Sequence, residues 1–371
     1  MAELHNTRGK YPGFYEDWAE KDGEWLSETN PMTEGMLLPD SVLDALLEAT
    51  PGLLQKPFAQ NLALDAAGGY VPPLNRHRLL IPEPALTWEQ SKELVIAAFA
   101  RFDEGLGQRV EQVLADPERL RLRKVEMGEA SAFCAPPDWQ GRERAEIVFS
   151  YEGSVNDAVY LAHELGHLLA HDFAREAGLK GSEETWMPKH IAEVPAFFAQ
   201  NILYDYLMNG QDDPALQKAG RQHFAGEIAR ALYEQQAAFG KRGMANGALD
   251  EDVYAQRLEE GLGKNWQSFE KARIHRRDVG DLHGHFTAAT IATGLYHSAL
   301  QKNTEVLGQM FRRGSHSDIL GLFGAAGIST KEDLKGFFRQ AIADSVAPLQ
   351  EIHAEYEAKR RPFAPKAFAK P

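Results

Sequence analysis

The chain has 371 residues, 43% of them hydrophobic and 25% charged, which allows one large core or two modest ones and excludes a disordered chain. Forty basic residues against fifty-four acidic ones give a net charge of -14, so a general affinity for nucleic acid or anionic membrane is disfavoured. A mean hydropathy of -0.41 and the lack of any apolar run of ~18 residues argue against a membrane span.

The first residues, MAELHNTRGKYPGFYEDWAEKDGEW, are polar and acidic without the apolar run of a secretory signal, so the cytoplasm is the expected compartment. Residues 40–50 (DSVLDALLEAT), 87–102 (TWEQSKELVIAAFARF) and 106–115 (LGQRVEQVLA) repeat apolar residues at helical spacing, with Asp40 and Thr87 as N-caps. Between about 121 and 150 the pattern changes to RLRKVEM and AEIVFSY around the turn PPDWQG, which predicts a small β-element. A helix then starts at Asn156 or Asp157 and runs to about Glu176, with Gly178 as its C-cap. The next helix spans 189–209 and contains Pro195, which either kinks it or sits in its first turn. Further helices are expected at about 217–240, 251–260, 285–310 and 330–358, before a basic, Pro-rich tail over 361–371 that reads as a flexible terminus. The expected architecture is mainly α, one helical domain over 1–360 with a small β-element.

Within the helix at 157–177, LAHELGH sets His163, Glu164 and His167 in an H-E-x-x-H arrangement. Positions four apart on a helix lie one above the other on one face, so both imidazoles can reach a single metal ion. Glu164, one residue on, leans over the open coordination position, where it can take a proton from the water that zinc activates. Cys134 is the only cysteine, so no internal disulfide can form and any metal must be held by histidine and carboxylate. The apolar flanks of the motif would bury its helix, and burying two histidines and a glutamate without a partner is costly.

A catalytic zinc ion usually takes three protein ligands. His171 lies eight residues from His163, about 12 Å along the helix axis, too far to share one ion. The extended motif with a glycine and a third histidine also fails, because Ala170 and Phe173 stand in those places. Glu193 in HIAEVPAFF is the favoured carboxylate, since a charge inside an apolar helix face needs a reason. Glu183 and Glu184 compete from GSEET, which reads as an exposed loop where acidic residues are usually just solvated.

The stretches FSYEGSVNDAVYLAHELGH and IAEVPAFFAQNILYDYL resemble the oligoendopeptidase F and thimet-oligopeptidase family of zinc peptidases, nearest to the oligoendopeptidase F branch. PALTWEQSKELVIAAFARF, GEASAFCAPP, ATIATGLYHSALQK and GSHSDILGLFGAAGI are similar to it in the same order, and RGKYPGFYEDW and VLDALLEA to its middle region. The resemblance implies a helical zincin-type catalytic domain with a small sheet beside the active-site groove. It implies one zinc ion on His163, His167 and Glu193, Glu164 as general base, and short peptides as substrates. It also implies that a peptide pairs its backbone with the strand near residues 131–135.

The chain departs from that family in three ways. It resembles the family's C-terminal part, so a partner chain or a second copy is a candidate to close the channel. Ala170 replaces a histidine and Ala196 a serine or threonine next to the ligands, where substitutions tune the metal. In DLHGHFTAATIATGLYH, His283 and His285 are candidates for the family's substrate-binding histidine, but Thr287 and Ile291 stand near its expected tyrosines and Tyr296 lies past them. Two other readings stay open: a zinc hydrolase or lyase acting on a small non-peptide substrate, and a non-catalytic relative that binds peptides or a partner.

Overall fold

The computed structural model describes residues 84–125, 132–135, 145–176, 189–224 and 279–300, with 326–330, 332–344 and the single positions 227 and 323 nearer the C-terminus. Helix α1 (Trp88–Phe102) opens on a reciprocal cap. The Thr87 hydroxyl accepts from the Gln90 N–H at 3.2 Å and the Gln90 side chain accepts from the Thr87 N–H at 2.8 Å. Asp103 both ends α1 and starts α2 (Glu104–Ala115): its N–H donates to the Phe99 carbonyl, and its carboxylate accepts from the Leu106 N–H, each at 2.8 Å.

Three short strands come next, β1 (Leu120–Val125), β2 (Ala132–Ala135) and β3 (Ala145–Ser150), in the spatial order β1-β3-β2. β1 runs parallel to β3, with Leu120 opposite Ala145, while β2 runs antiparallel to it, with Cys134 opposite Ile147. β2 is therefore an edge strand among the described residues, and it packs against the helix that succeeds the sheet in the chain.

That helix, α3 (Val155–Glu176), carries the H-E-x-x-H motif. It starts one residue before the expected Asn156 and two before Asp157. The reason is that Asp157 acts from inside the first turn, its Oδ2 accepting from the Glu152 and Ser154 N–H groups at 3.0 and 2.7 Å. The expected cap Gly178 lies outside the described residues. α3 is apolar on most sides: Val155, Val159, Leu161, Leu165, Leu168 and Leu169 are all buried, as expected of a helix at the centre of a core. Its far end is tied down by ion pairs from Arg119 to Asp172 and from Arg109 to Glu176.

Helix α4 (Lys189–Asp205) packs on α3 and continues into a π-helical turn at Tyr206–Gly210. Pro195 sits inside α4, beyond its first turn, and contributes no N–H to the helix ladder. Helix α5 (Val279–Leu300) packs along α4 through Ala288, Ile291, Ala292 and Leu295. It begins six residues before the expected 285, and the last part of that expected span, 301–310, lies outside the described residues. Residues 214–224 and 332–344 are helical, within or beside the spans expected near 217–240 and 330–358. The expected helices at 40–50 and 251–260 and the tail at 361–371 lie outside the described residues.

The described chain is thus mostly helical with one small sheet. No described helix is long and apolar enough to cross a membrane.

One glycine sets the depth of the α3–α4 contact. A Cβ on Gly166 would stand 2.5 Å from the Pro195 carbonyl oxygen and 2.7 Å from the Ala196 Cα, so the two helices meet backbone to backbone there. Gly166 is the residue before His167, and Pro195 is two residues after Glu193. The close approach therefore lies beside the side chains of interest.

Candidate metal centre

His163 and His167 project from one face of α3 with ring centroids 5.0 Å apart and planes nearly perpendicular, at 84°. Across the gap, α4 presents Glu193, whose Oε2 lies 3.1 Å from His163 Nε2 and 3.6 Å from His167 Nε2. One ligand atom from each residue falls within 4.8 Å of the others, and this is the one such group of His, Cys, Asp and Glu among the described residues. The side chains of His163, His167 and Glu193 keep 15%, 18% and 18% of their surface exposed, so the group can be reached from one side. Phe197, one turn beyond Glu193, meets the His163 ring edge-on at 5.4 Å and walls the group on the protein side.

The polar atoms fit a shared cation better than they fit each other. Oε2 of Glu193 accepts no well-formed hydrogen bond although two ring nitrogens stand close to it. Leaving such atoms buried and unsatisfied is costly. Two imidazoles and a carboxylate are a donor set suited to zinc.

Electrostatics within the group are strong. Burial alone would lower the pKa of His163, but the Glu193 carboxylate and then Glu164 outweigh it and push the imidazole up to about 9. Burial would raise Glu193, yet His167 and His163 hold its carboxyl well below the usual range. Both shifts belong to the metal-free group.

Glu164 is not one of the three converging residues, but its carboxyl interacts with all of them. It is only 4% exposed and sits between α3 and β2, where the backbone N–H of Cys134 donates to its carboxylate. Burial raises its pKa, against the pull of His163 and His167. A carboxyl moved up in this way is poised to exchange a proton nearer neutrality. The role of the Cys134 N–H and that of Gly166 had no signal in the sequence, because both depend on which element lies opposite.

His171, one turn past His167, is not part of the converging group. Glu183 and Glu184 lie outside the described residues. His283 and His285 lie on the first turns of α5, where the backbone alone is described and their side chains lie outside the described residues. Ile291 is fully buried in the core between α4 and α5.

Tyr296 is spent on structure. It stacks on Phe102 at 5.5 Å, meets Phe198 edge-on at 5.7 Å, and its hydroxyl, raised in pKa by burial and then by Asp205, hydrogen-bonds that carboxylate. Asp205 is twelve residues along α4 from Glu193, about 18 Å of helix, so this tyrosine does not face the group.

Several solved structures are similar to this chain in fold. A proposed peptidase from Chlamydophila abortus superposes with a TM-score of 0.61 at 13% identity, covering 86% of this chain and 56% of that one. A proposed oligoendopeptidase F from Bacillus anthracis gives 0.58 at 12% identity, covering 96% and 64%. PZ peptidase A, in complex with an inhibitor, gives 0.54 at 12% identity, covering 87% and 59%. The fold is thus that of oligoendopeptidase F-type structures, and this chain spans between 56% and 64% of the length of these three. No family model and no curated protein sequence matches the chain.

Proposed function

We propose that the chain is a zinc-dependent peptidase that hydrolyses short peptides. The observation that carries the proposal is the convergence of His163, His167 and Glu193 beside the buried carboxyl of Glu164. The likeness in fold to structures described as peptidases supports the same reading.

His163 and His167 through Nε2, with Glu193 through Oε2, would hold the ion. When bound, zinc supplies a Lewis acid that polarises a scissile carbonyl and brings the pKa of water to about 7. Glu164 then accepts the proton of the attacking water at its carboxylate, held in place by the Cys134 N–H, and delivers it to the leaving amine nitrogen. β2, an edge strand among the described residues, offers backbone groups to an extended peptide next to that carboxylate. His283 or His285, from the first turns of α5, is the proposed donor to the carbonyl oxygen as charge builds on it.

Cleavage of a quenched fluorescent peptide library, measured alongside bound metal, tests this reading. Zinc at one equivalent with turnover that collapses in Glu164→Gln is the expected result. Turnover that survives Glu164→Gln would sink the mechanism. A second reading, a zinc hydrolase or lyase acting on a small non-peptide substrate, is favoured by Ile291, whose hydrocarbon side chain has no donor, and by Tyr296, whose hydroxyl is engaged by Asp205. Zinc without turnover of any peptide would select that reading or a non-catalytic one.

A further inference from the structure

Nδ1 of His163 has no task in the chemistry above. Nε2 of that ring faces Glu193 at 3.1 Å, so Nδ1 is turned into the protein, where it is buried with no completed hydrogen bond. A buried ring nitrogen bearing a proton needs an acceptor. Its identity also decides which nitrogen is left for a metal, because an acceptor on one side fixes the tautomer and the ring angle on the other.

Gln200 is the group placed to serve. It comes seven residues after Glu193, close to two full turns, so both side chains leave α4 on the same face. Phe197, midway between them, already lies edge-on to the His163 ring. Gln200 is only 5% exposed, and its side chain is within hydrogen-bonding reach of that ring. Its carboxamide oxygen can accept from Nδ1 without adding charge to a region that holds both Glu164 and Glu193.

We propose that Gln200 is a positioning residue that accepts the Nδ1–H of His163 and so holds Nε2 toward His167 and Glu193. One face of α4 would then supply a ligand, Glu193, and the brace of a second ligand, His163. The inference rests on the metal-centre reading and names a residue that the ligand motif does not contain.

Zinc affinity measured by chelator competition tests it in the full chain, together with the melting temperature of the metal-free form. Gln200→Leu should weaken zinc binding by about 10–100-fold, the usual effect of removing such a partner, and Gln200→Glu, which keeps an acceptor in place, should recover most of it. A lowered melting temperature with unchanged zinc affinity in Gln200→Leu would mean a merely structural glutamine and overturn the inference alone. A wild-type chain that takes up no zinc overturns the metal-centre reading and this inference with it. Nuclear magnetic resonance of 15N-histidine in the zinc-loaded wild type needs no variant of Gln200. It should show His163 protonated on Nδ1 with slow solvent exchange, whereas coordination through Nδ1 or rapid exchange of its proton refutes the proposal.

Discussion

Replacing Gly166 with alanine should weaken both the fold and the metal centre, because the added methyl falls where α3 and α4 touch. It would stand 2.5 Å from the Pro195 carbonyl oxygen, 2.7 Å from the Ala196 Cα and 2.9 Å from the Ala199 Cβ. Ordinary contact begins at 3.4 Å, so α4 must retreat by about 0.9 Å (3.4 − 2.5) at Pro195. Two of the three obstacles are backbone, which no rotamer change can move aside. Such overpacking costs about 1–3 kcal/mol, while alanine in place of glycine returns about 1 kcal/mol of helix propensity. The net loss is up to about 2 kcal/mol. Glu193 lies two residues from Pro195 and travels with it, and metal–ligand distances tolerate only about 0.2 Å. Zinc affinity should therefore fall by about tenfold or more, equivalent to at least about 1.4 kcal/mol.

Urea denaturation of the metal-free chain and chelator competition for zinc measure the two effects separately. Gly336→Ala is the control, since a Cβ there meets nothing within 4 Å and the residue lies inside the helix over 332–344. It should stabilise by up to about 1 kcal/mol. If Gly166→Ala stabilises as much as Gly336→Ala and binds zinc like the wild type, the close approach of α3 and α4 is not what sets the ligand geometry.

Three further outcomes are expected. Glu164→Gln should keep zinc and lower peptide turnover by about 10²–10⁴-fold, read from bound metal and initial rates on one peptide. Zinc binding at pH 7.5 should release about one proton, seen by calorimetry in buffers of differing ionisation enthalpy, because His163 is pushed up to about 9 in the metal-free chain and must lose its proton to ligate. For the metal-free fold, a raised pKa gives stability that is full below His163's ordinary 6.5 and disappears as pH rises through about 9; apparent zinc affinity, which depends on the folded-state value alone, should still be climbing between those limits. A flat affinity between those limits would contradict it. Tyr296→Phe, which removes the hydroxyl from Asp205, should cost about 1–3 kcal/mol and leave zinc affinity and turnover number unchanged. A selective loss of turnover number would instead place that hydroxyl at the reacting groups.

Local chemistry made much of this chain readable in advance. Thr87 and Gln90 cap α1 because the T-x-x-Q spacing matches one helical turn. His163 and His167 share a face because they are four apart on a helix, which holds whatever surrounds it. The apolar flanks LLA and YLA likewise marked α3 as a buried helix. The same local rules place the start of α3 one or two residues late, since an aspartate inside the first turn can reach back as well as one at the cap can reach forward.

Undecided by the sequence is the group that stands opposite each residue. Its apolar setting favours Glu193 over Glu183 and Glu184, but the 3.1 Å approach of its oxygen to His163 comes from α4 folding back on α3. That approach in turn depends on Gly166 carrying no Cβ against Pro195. Whether Tyr296 could reach the group was likewise a matter of packing, which commits its hydroxyl to Asp205. Spacing along a helix is fixed by 3.6 residues per turn, so the pair of histidines is a property of the sequence itself. Their convergence with a carboxylate from another helix is a property of packing, set by which backbones can come within touching distance.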